Sequence, residues 1–366
     1  MKFSCQQKDL ATAVTNVQRA VSTKTNLPAL EGILIKADDM GITLCGYDLE
    51  IGIKTFIKCS VQEKGSVTAG AKLLGDIVRK LPGNTVNVST DEKDIIYINS
   101  GFADYQIVGI SPEEYPELPV IEETESFSVQ SGILKNMIKQ TIFAVSDDMT
   151  KPVYTGSLFD ISNNLLKIVS IDGFRVAIRQ EAVSCGISSK FIIPGKTLGE
   201  ILKLVSDEEK EAFITLGKRH AVFKIENYSI ITRLIEGNFL DYNSAVMPGA
   251  KTELRVNTRS LISAVERMSL LNSDKIQSPI RCMVYDTQVK LSCSTSMGKA
   301  NDSIEAEISG ENVEIGLNNK YLLDALKNSE TDEVKIQLNG SLSPIKIMPV
   351  EGDSFLFLVV PMRFKQ

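Results

Sequence analysis

The sequence repeats itself at the scale of a whole domain. The segments AGAKLLGDIVRKLP (69–82), IIPGKTLGEILKLV (192–205) and GLNNKYLLDALKNS (316–329) share one plan: a turn, a lysine, then an amphipathic helix with an acid in its middle. Lys72, Lys196 and Lys320 are separated by 124 residues each time, and so are Asp76, Glu200 and Asp324. A second element recurs in step with the first: MKFSCQQKDLATAVTNVQRAVS (1–22), FSVQSGILKNMIKQTIFAVS (127–146) and LRVNTRSLISAVERMSLLNS (254–273). Each reads as an alternating strand, a polar cap and a helix. Ser131 and Thr258 stand where N-caps belong, and Ile133, Leu134, Met137 and Ile138 recur at helical spacing as one apolar face. Solenoid units run to about 20–50 residues, so a repeat of this length is a domain.

Between the helices the chain reads as strands, for example ILIKADDMGITLCGYD, SLFDISNNLLKIVSIDG and CMVYDTQVKLSCS. Their alternation and their Asp, Asn and Gly turns predict antiparallel hairpins. The expected fold class is α+β: three repeated domains, each with two helices packed on one face of antiparallel sheets. The polar stretches PVIEETES (119–126) and PGAKT (248–252) place the domains at 1–121, 126–248 and 252–366.

Composition closes several routes to chemistry. His220 is the single histidine, so His-rich metal sites are impossible and any Ser/His/Asp triad would need it as base. It lies in GKRHAVFKI, a turn entering a strand, with no nucleophile elbow nearby. Gly195-Lys196-Thr197 resembles the end of a phosphate-binding loop, but Lys190 stands where the first glycine belongs. The six cysteines include no CxxC pair and read as free buried thiols. No apolar run reaches the roughly 18 residues of a membrane span, and MKFSCQQKDL lacks the apolar region of a signal peptide. The expectation is a cytoplasmic protein with no catalytic residues, no metal and no cofactor.

The net charge of −6 argues against a polyanion partner until its distribution is considered. The six repeated helices and their leading turns carry 14 basic residues against 5 acidic ones, a net of +9, which leaves −15 on the rest of the chain. A basic helical face in an acidic protein suits the phosphates of a duplex. No aromatic ladder interleaves the lysines, so single-strand binding is not indicated, and contact without base readout fits. The cations singled out are Lys24, Lys72, Arg79, Lys135, Lys139, Lys196, Lys203, Arg267, Lys320 and Lys327.

Several motifs carry a resemblance. The start MKF, Thr25-Asn26-Leu27-Pro28, Gly46-Tyr47-Asp48-Leu49-Glu50, Ile171-Asp172-Gly173-Phe174-Arg175, the run from Glu236 to Tyr242 and Val359-Val360-Pro361-Met362-Arg363 follow in order along the chain. Together they resemble the bacterial sliding clamp family, the beta subunit of DNA polymerase III. The resemblance implies a non-catalytic processivity factor: a head-to-tail homodimer forming a six-domain ring around double-stranded DNA, without sequence preference. It also implies that the replicative polymerase, the clamp loader and repair proteins dock through short peptides rich in Gln, Leu and Phe. The implied pocket takes Tyr154, Thr155, Ile171, Gly173, Phe174, Arg175 and Val176 on one side. Leu240, Ser244 and Ala245 continue it, and Leu358, Val359, Val360, Pro361, Met362 and Arg363 close it. Within it Arg175 is expected to pair with a peptide carboxylate or carbonyl. Tyr105, Leu270 and Leu271 match apolar dimer contacts of the family.

There are departures. Leu240 stands where the family often has proline, Ser244 and Ala71 where it often has a basic residue, and the acidic cluster near 297–305 is thin. Phe364 lies beyond the family's usual end, within reach of folding over the pocket. Three other readings share these residues: a paralogous clamp serving repair or inhibitor resistance, an enzyme using the acidic surface and His220, and a peptide-binding scaffold with no role on DNA.

Overall fold

The computed structural model describes residues 1–22, 25–122, 125–205, 210–246, 248–272 and 278–364. The first repeat runs β1 (Lys2–Gln6), α1 (Gln7–Val17), β2 (Gly32–Asp38), β3 (Gly41–Tyr47), β4 (Ile51–Ile57), β5 (Ser60–Glu63), β6 (Gly65–Gly70), α2 (Ala71–Lys80), β7 (Thr85–Thr90), β8 (Ile95–Ser100) and β9 (Ala103–Val108). The second runs β10 (Glu125–Gln130), α3 (Ser131–Ile142), β11 (Gly156–Ser162), β12 (Leu165–Ile171), β13 (Arg175–Ala182), β14 (Ser189–Pro194), α4 (Gly195–Leu204), β15 (Glu211–Leu216), β16 (His220–Ile225) and β17 (Tyr228–Arg233). The third runs β18 (Thr252–Asn257), α5 (Thr258–Ser269), β19 (Ile280–Tyr285), β20 (Gln288–Thr295), β21 (Gly298–Glu305), β22 (Glu307–Gly310), β23 (Val313–Leu317), α6 (Asn319–Lys327), β24 (Glu333–Leu338), β25 (Ile345–Pro349) and β26 (Phe355–Val359). The class is α+β, and the strand–helix–strands–helix–strands order holds three times.

The helices form for local reasons. In α2, Leu74, Ile77 and Val78 are buried at helical spacing, while Lys72, Asp76, Arg79 and Lys80 stay out in water. The caps correct the sequence reading by one position. Asn257, not Thr258, caps α5, its side chain accepting the backbone N–H of Ser260. The hydroxyls of Ser131 and Thr258 lie inside their helices, buried and without a hydrogen-bond partner among the described residues. Asn318 caps α6 by accepting from Lys320 and Tyr321.

The sheets depart further from expectation. Each repeat contributes strands to two sheets, and in the first and third repeats a helix packs on both rather than on one. Helix α1 touches β1 in one sheet and β3 and β4 in the other; α5 touches β18 and β24 on one side and β19, β20 and β21 on the other. The chain divides into two compact units, Met1–Leu134 with Gly199–Leu234, and Lys135–Leu198 with Ile235–Gln366. The second repeat is shared because its strands complete its neighbours' sheets. In the first unit β10, β15, β16 and β17 continue β4, β3, β2 and β6 as eight strands. In the second, β14, β11, β12 and β13 continue β26, β25, β24, β18 and β22 as nine.

Both continuations use one register. Strand β4 meets β17 with Ile51 opposite Thr232, Ile53 opposite Ile230 and Thr55 opposite Tyr228. Strand β13 meets β26 with Arg175 opposite Val359, Ala177 opposite Phe357 and Arg179 opposite Phe355. The same turn precedes each. The Asp48 carboxylate accepts the N–H groups of Glu50 and Ile51, and Asp172 accepts those of Phe174 and Arg175. At the second junction the Phe357 ring is fully buried and meets Phe143 edge-on at 5.3 Å. Truncating such a core phenylalanine costs about 3–5 kcal/mol. The edge strands of the first and third repeats include β9, beside β8, and β21, beside β20.

Candidate functional site

The pocket inferred from the resemblance is built where β13 and β26 meet. Gly173 has a φ of +94°, a left-handed conformation that lets the turn held by Asp172 lift Phe174 clear of the sheet. The Phe174 side chain is 58% exposed and stacks on Tyr321 of α6 with ring centroids 6.0 Å apart. Its carbonyl accepts the N–H of Val360 at 2.9 Å, which fastens the chain after β26 to the turn. Beneath lies an apolar cluster of Leu158, Ile171, Val176, Ile192, Tyr242 and Leu358, with Tyr154, Phe239 and Ala245 half-buried around it.

Most residues chosen from sequence gather here, but not all. Tyr154, Ile171, Val176, Ala245 and Leu358 share the cluster. Val359 is buried in the core of the third repeat instead. Thr155 faces α4: its carbonyl accepts the N–H of Gly195, and its hydroxyl donates to the Pro152 carbonyl. Leu240 and Ser244 are exposed on the loop after β17, the Ser244 hydroxyl donating to the Asp241 carbonyl at 2.7 Å. Strand β26 is buried and stops at Val359; Val360 and Arg363 are exposed, and Pro361 and Met362 half-buried.

Sequence reasoning missed the groove of about 510 Å³ beside this cluster, bordered by Lys190, Phe191, Phe239, Leu240 and Asn243. At Asp160, which is buried, the carboxylate accepts from the Tyr242 hydroxyl and pairs with the Lys190 ammonium, both at 2.8 Å. Burial, then the hydrogen bond to Asp160, push the Tyr242 phenol above its ordinary range. The alternation of β14 was the only signal for Phe191; Lys190 and Asp160 carried none.

Arg175 corrects its expected role. It is 7% exposed, and its guanidinium is already engaged. Nε donates to Asp172 at 2.8 Å, and the other edge donates to Asp324, the repeated acid of α6. The cation lies 4.7 Å from the Tyr321 ring centroid and 5.4 Å from that of Phe143. Two of its nitrogens are thus engaged within the chain, and the residue holds the turn against α6. Phe364 does not fold over the pocket either. It packs against Gly316 and lies beneath the Arg281 guanidinium on the third repeat.

The helix cations are surface groups, yet half of those singled out are paired. Arg79 meets Asp76 at 2.7 Å, Lys203 meets Glu200 at 2.8 Å, Lys327 meets Glu266 at 2.7 Å and Arg267 meets Asp302 at 2.7 Å. Lys139 pairs with Glu330. Three of these acids, Asp76, Glu200 and Glu266, are already counted in the net charge of the helices; Asp302 and Glu330 come from outside them. Lys72 and Lys320 are exposed and make no ion pair with a described residue. Lys196 is exposed and Lys135 half-buried, both with interactions of their own. Lys24 lies outside the described residues. Of the family's apolar dimer positions, Tyr105 is 38% and Leu270 81% exposed, whereas Leu271 packs partly into the third-repeat core.

Comparisons with known proteins agree with this geometry along the whole chain. The beta sliding clamp of Bacillus subtilis (strain 168) is 32% identical over 376 residues, covering 99% of this chain and 100% of that protein. That of Halalkalibacterium halodurans is 32% identical over 378 residues, with the same coverage. The crystal structure of the DNA polymerase sliding clamp from Bacillus subtilis superposes with a TM-score of 0.97 at 32% identity, covering 100% of each chain. The N-terminal, central and C-terminal domains of the DNA polymerase III beta subunit match residues 1–119, 128–241 and 245–363, and the chain belongs to that family, the beta sliding clamps.

Proposed function

We propose that two copies of this chain close head to tail into a ring around duplex DNA, and that the ring tethers a replicative polymerase and other partners by their peptides. The protein is a processivity factor rather than an enzyme. None of its helices, among the described residues, is long and apolar enough to cross a membrane, and the reading places it in the cytoplasm with the chromosome.

One observation carries the ring: the repeated register of the two internal junctions. Strands β9 and β17 each follow a two-residue hairpin, so Ala103 corresponds to Tyr228. Strand β21 follows a turn in which Thr295 accepts the N–H of Met297, so Gly298 corresponds to Ile51 and Arg175. Of the sheet edges, β9 and β21 are thus the ones that match the two halves of the same joint, one in the first repeat and one in the third. Carried over, the register sets Gly298 opposite Ile107, Ala300 opposite Tyr105 and Asp302 opposite Ala103 of a second copy. Tyr105 then covers an alanine as Phe357 covers Ala177, and meets Leu270 where Phe357 meets Phe143. Closing the ring leaves neither edge exposed.

The open cations Lys72 and Lys320, with the paired ones around them, hold DNA by long-range attraction without preferring any position. Retention therefore comes from topology. The test loads the protein on nicked circular plasmid in moderate salt and then linearises the plasmid. Prompt release on linearisation is expected; equal retention on both forms would mean simple electrostatic adhesion.

A further inference from the structure

Beyond β26 the chain runs on as an extended tail whose attachment changes hands. The N–H of Val360 donates to Phe174, on the turn before β13, whereas the N–H of Met362 donates to the Gly316 carbonyl in β23 at 2.8 Å. Pro361 has no N–H to give. Two backbone hydrogen bonds are a weak hold on so long an exposed segment, since the entropy of fixing each residue is comparable to the net gain from a hydrogen bond. In the peptide-pocket reading, Val360, Pro361 and Met362 form the pocket's outer wall.

The missing hold is supplied by Phe364. Arg281 in β19 and Gly316 in β23 are opposite each other in the sheet, and the Phe364 ring lies over that pair. The Arg281 guanidinium is 4.5 Å from the ring centroid and is itself steadied by Glu314 at 3.2 Å. Gly316 admits the tail because it has no side chain. A Cβ there would stand 2.5 Å from the Met362 carbonyl oxygen and 3.0 Å from Cε1 of Phe364. The glycine is thus where the tail lies flush on the third repeat, and the aromatic–guanidinium contact is what fastens it.

We propose that Phe364 is a positioning residue for peptide binding: docked on Arg281 and Gly316, it fixes Val360 to Arg363 as a preformed wall of the pocket. The proposal rests on the peptide-pocket reading above. A preformed wall spares the peptide the entropy of ordering it, so losing the anchor speeds peptide dissociation.

The experiment measures binding of a fluorescein-labelled peptide containing Gln, Leu and Phe to the full-length protein by anisotropy. Phe364→Ala and Gly316→Ala, which loosen the tail from opposite sides, are each expected to weaken binding about five- to tenfold with little change in thermal midpoint. Phe364→Tyr keeps the ring and should bind as wild type does. The chain has no tryptophan, so Phe364→Trp provides a single fluorophore. Its emission should be the same with and without unlabelled peptide, because the anchor is docked beforehand; a shift on binding would overturn the preformed wall. Deleting residues 361–366 is the control. Wild-type affinity in Phe364→Ala alongside strong loss in the deletion would overturn the anchoring role and leave the pocket standing. Wild-type affinity in the deletion itself would overturn the pocket and the anchor with it.

Discussion

Arg175→Ala separates what the sequence suggested from what the structure built. The side chain is 7% exposed and joins Asp172, whose side chain is 12% exposed, to Asp324, at 31%. Removing one member of a buried ion pair costs about 3–5 kcal/mol, because the remaining charge is left desolvated. Water reaches Asp324, which lowers the figure; loss of the cation–π contacts with Phe143 and Tyr321 adds about 0.5–2 kcal/mol. The expected loss is about 3 kcal/mol, a factor of roughly 150 in the folded-to-unfolded ratio. Urea titration read by hydrogen exchange localises it, with protection falling at β13, β26 and α6 and little changed at β9. Asp324→Asn in the Arg175→Ala background should cost less than the sum of the two single changes, because each deletion removes the same contact. A stability loss below about 1 kcal/mol together with a tenfold loss of peptide affinity would show the guanidinium free to meet the peptide, and the structural argument wrong.

Three further outcomes are expected. Tyr105→Arg with Leu270→Arg places like charges in the proposed seam, and light scattering should then give the 40.2 kDa monomer where wild type gives twice that mass; an intact dimer would refute the transferred register. Lys72→Glu with Lys320→Glu should impair loading onto nicked circles and flatten its dependence on salt, because fewer phosphates are neutralised, whereas Lys139→Gln, whose partner is already Glu330, should change it little; equal effects would mean that pairing does not screen the helix cations. Burial pushes the Cys282 and Cys5 thiols from the ordinary 9.0 up to about 12, and Cys45 up to about 11. A raised folded value favours the neutral thiol, so its stabilisation is complete below the unfolded value and is lost as pH climbs from about 9 towards 12; a flat urea midpoint over that range would contradict it.

The sequence by itself determined the features that depend on neighbours along the chain. The 124-residue repeat, the six helices and the tight hairpins were legible because turns, caps and 3.6-residue periodicity act over a few residues. The apolar set of the pocket was legible through the family's motifs, although Thr155 and Val359 turned elsewhere. The joining of β4 to β17 and of β13 to β26 was not, because no residue pattern within a strand names its partner. The pairing of individual charges was not legible for the same reason. Composition counts lysines and arginines as free, whereas Lys139 finds Glu330, Arg267 finds Asp302, and Arg175 finds Asp324 only after the chain has folded. Phe364 is the sharpest case. In sequence it is an apolar residue after the last strand, and only the opposition of Arg281 and Gly316 across two strands decides where it lies. Local structure is set by local sterics and hydrogen bonding, but the partner of a strand edge or a charge is set by distance through space, which tertiary packing alone supplies.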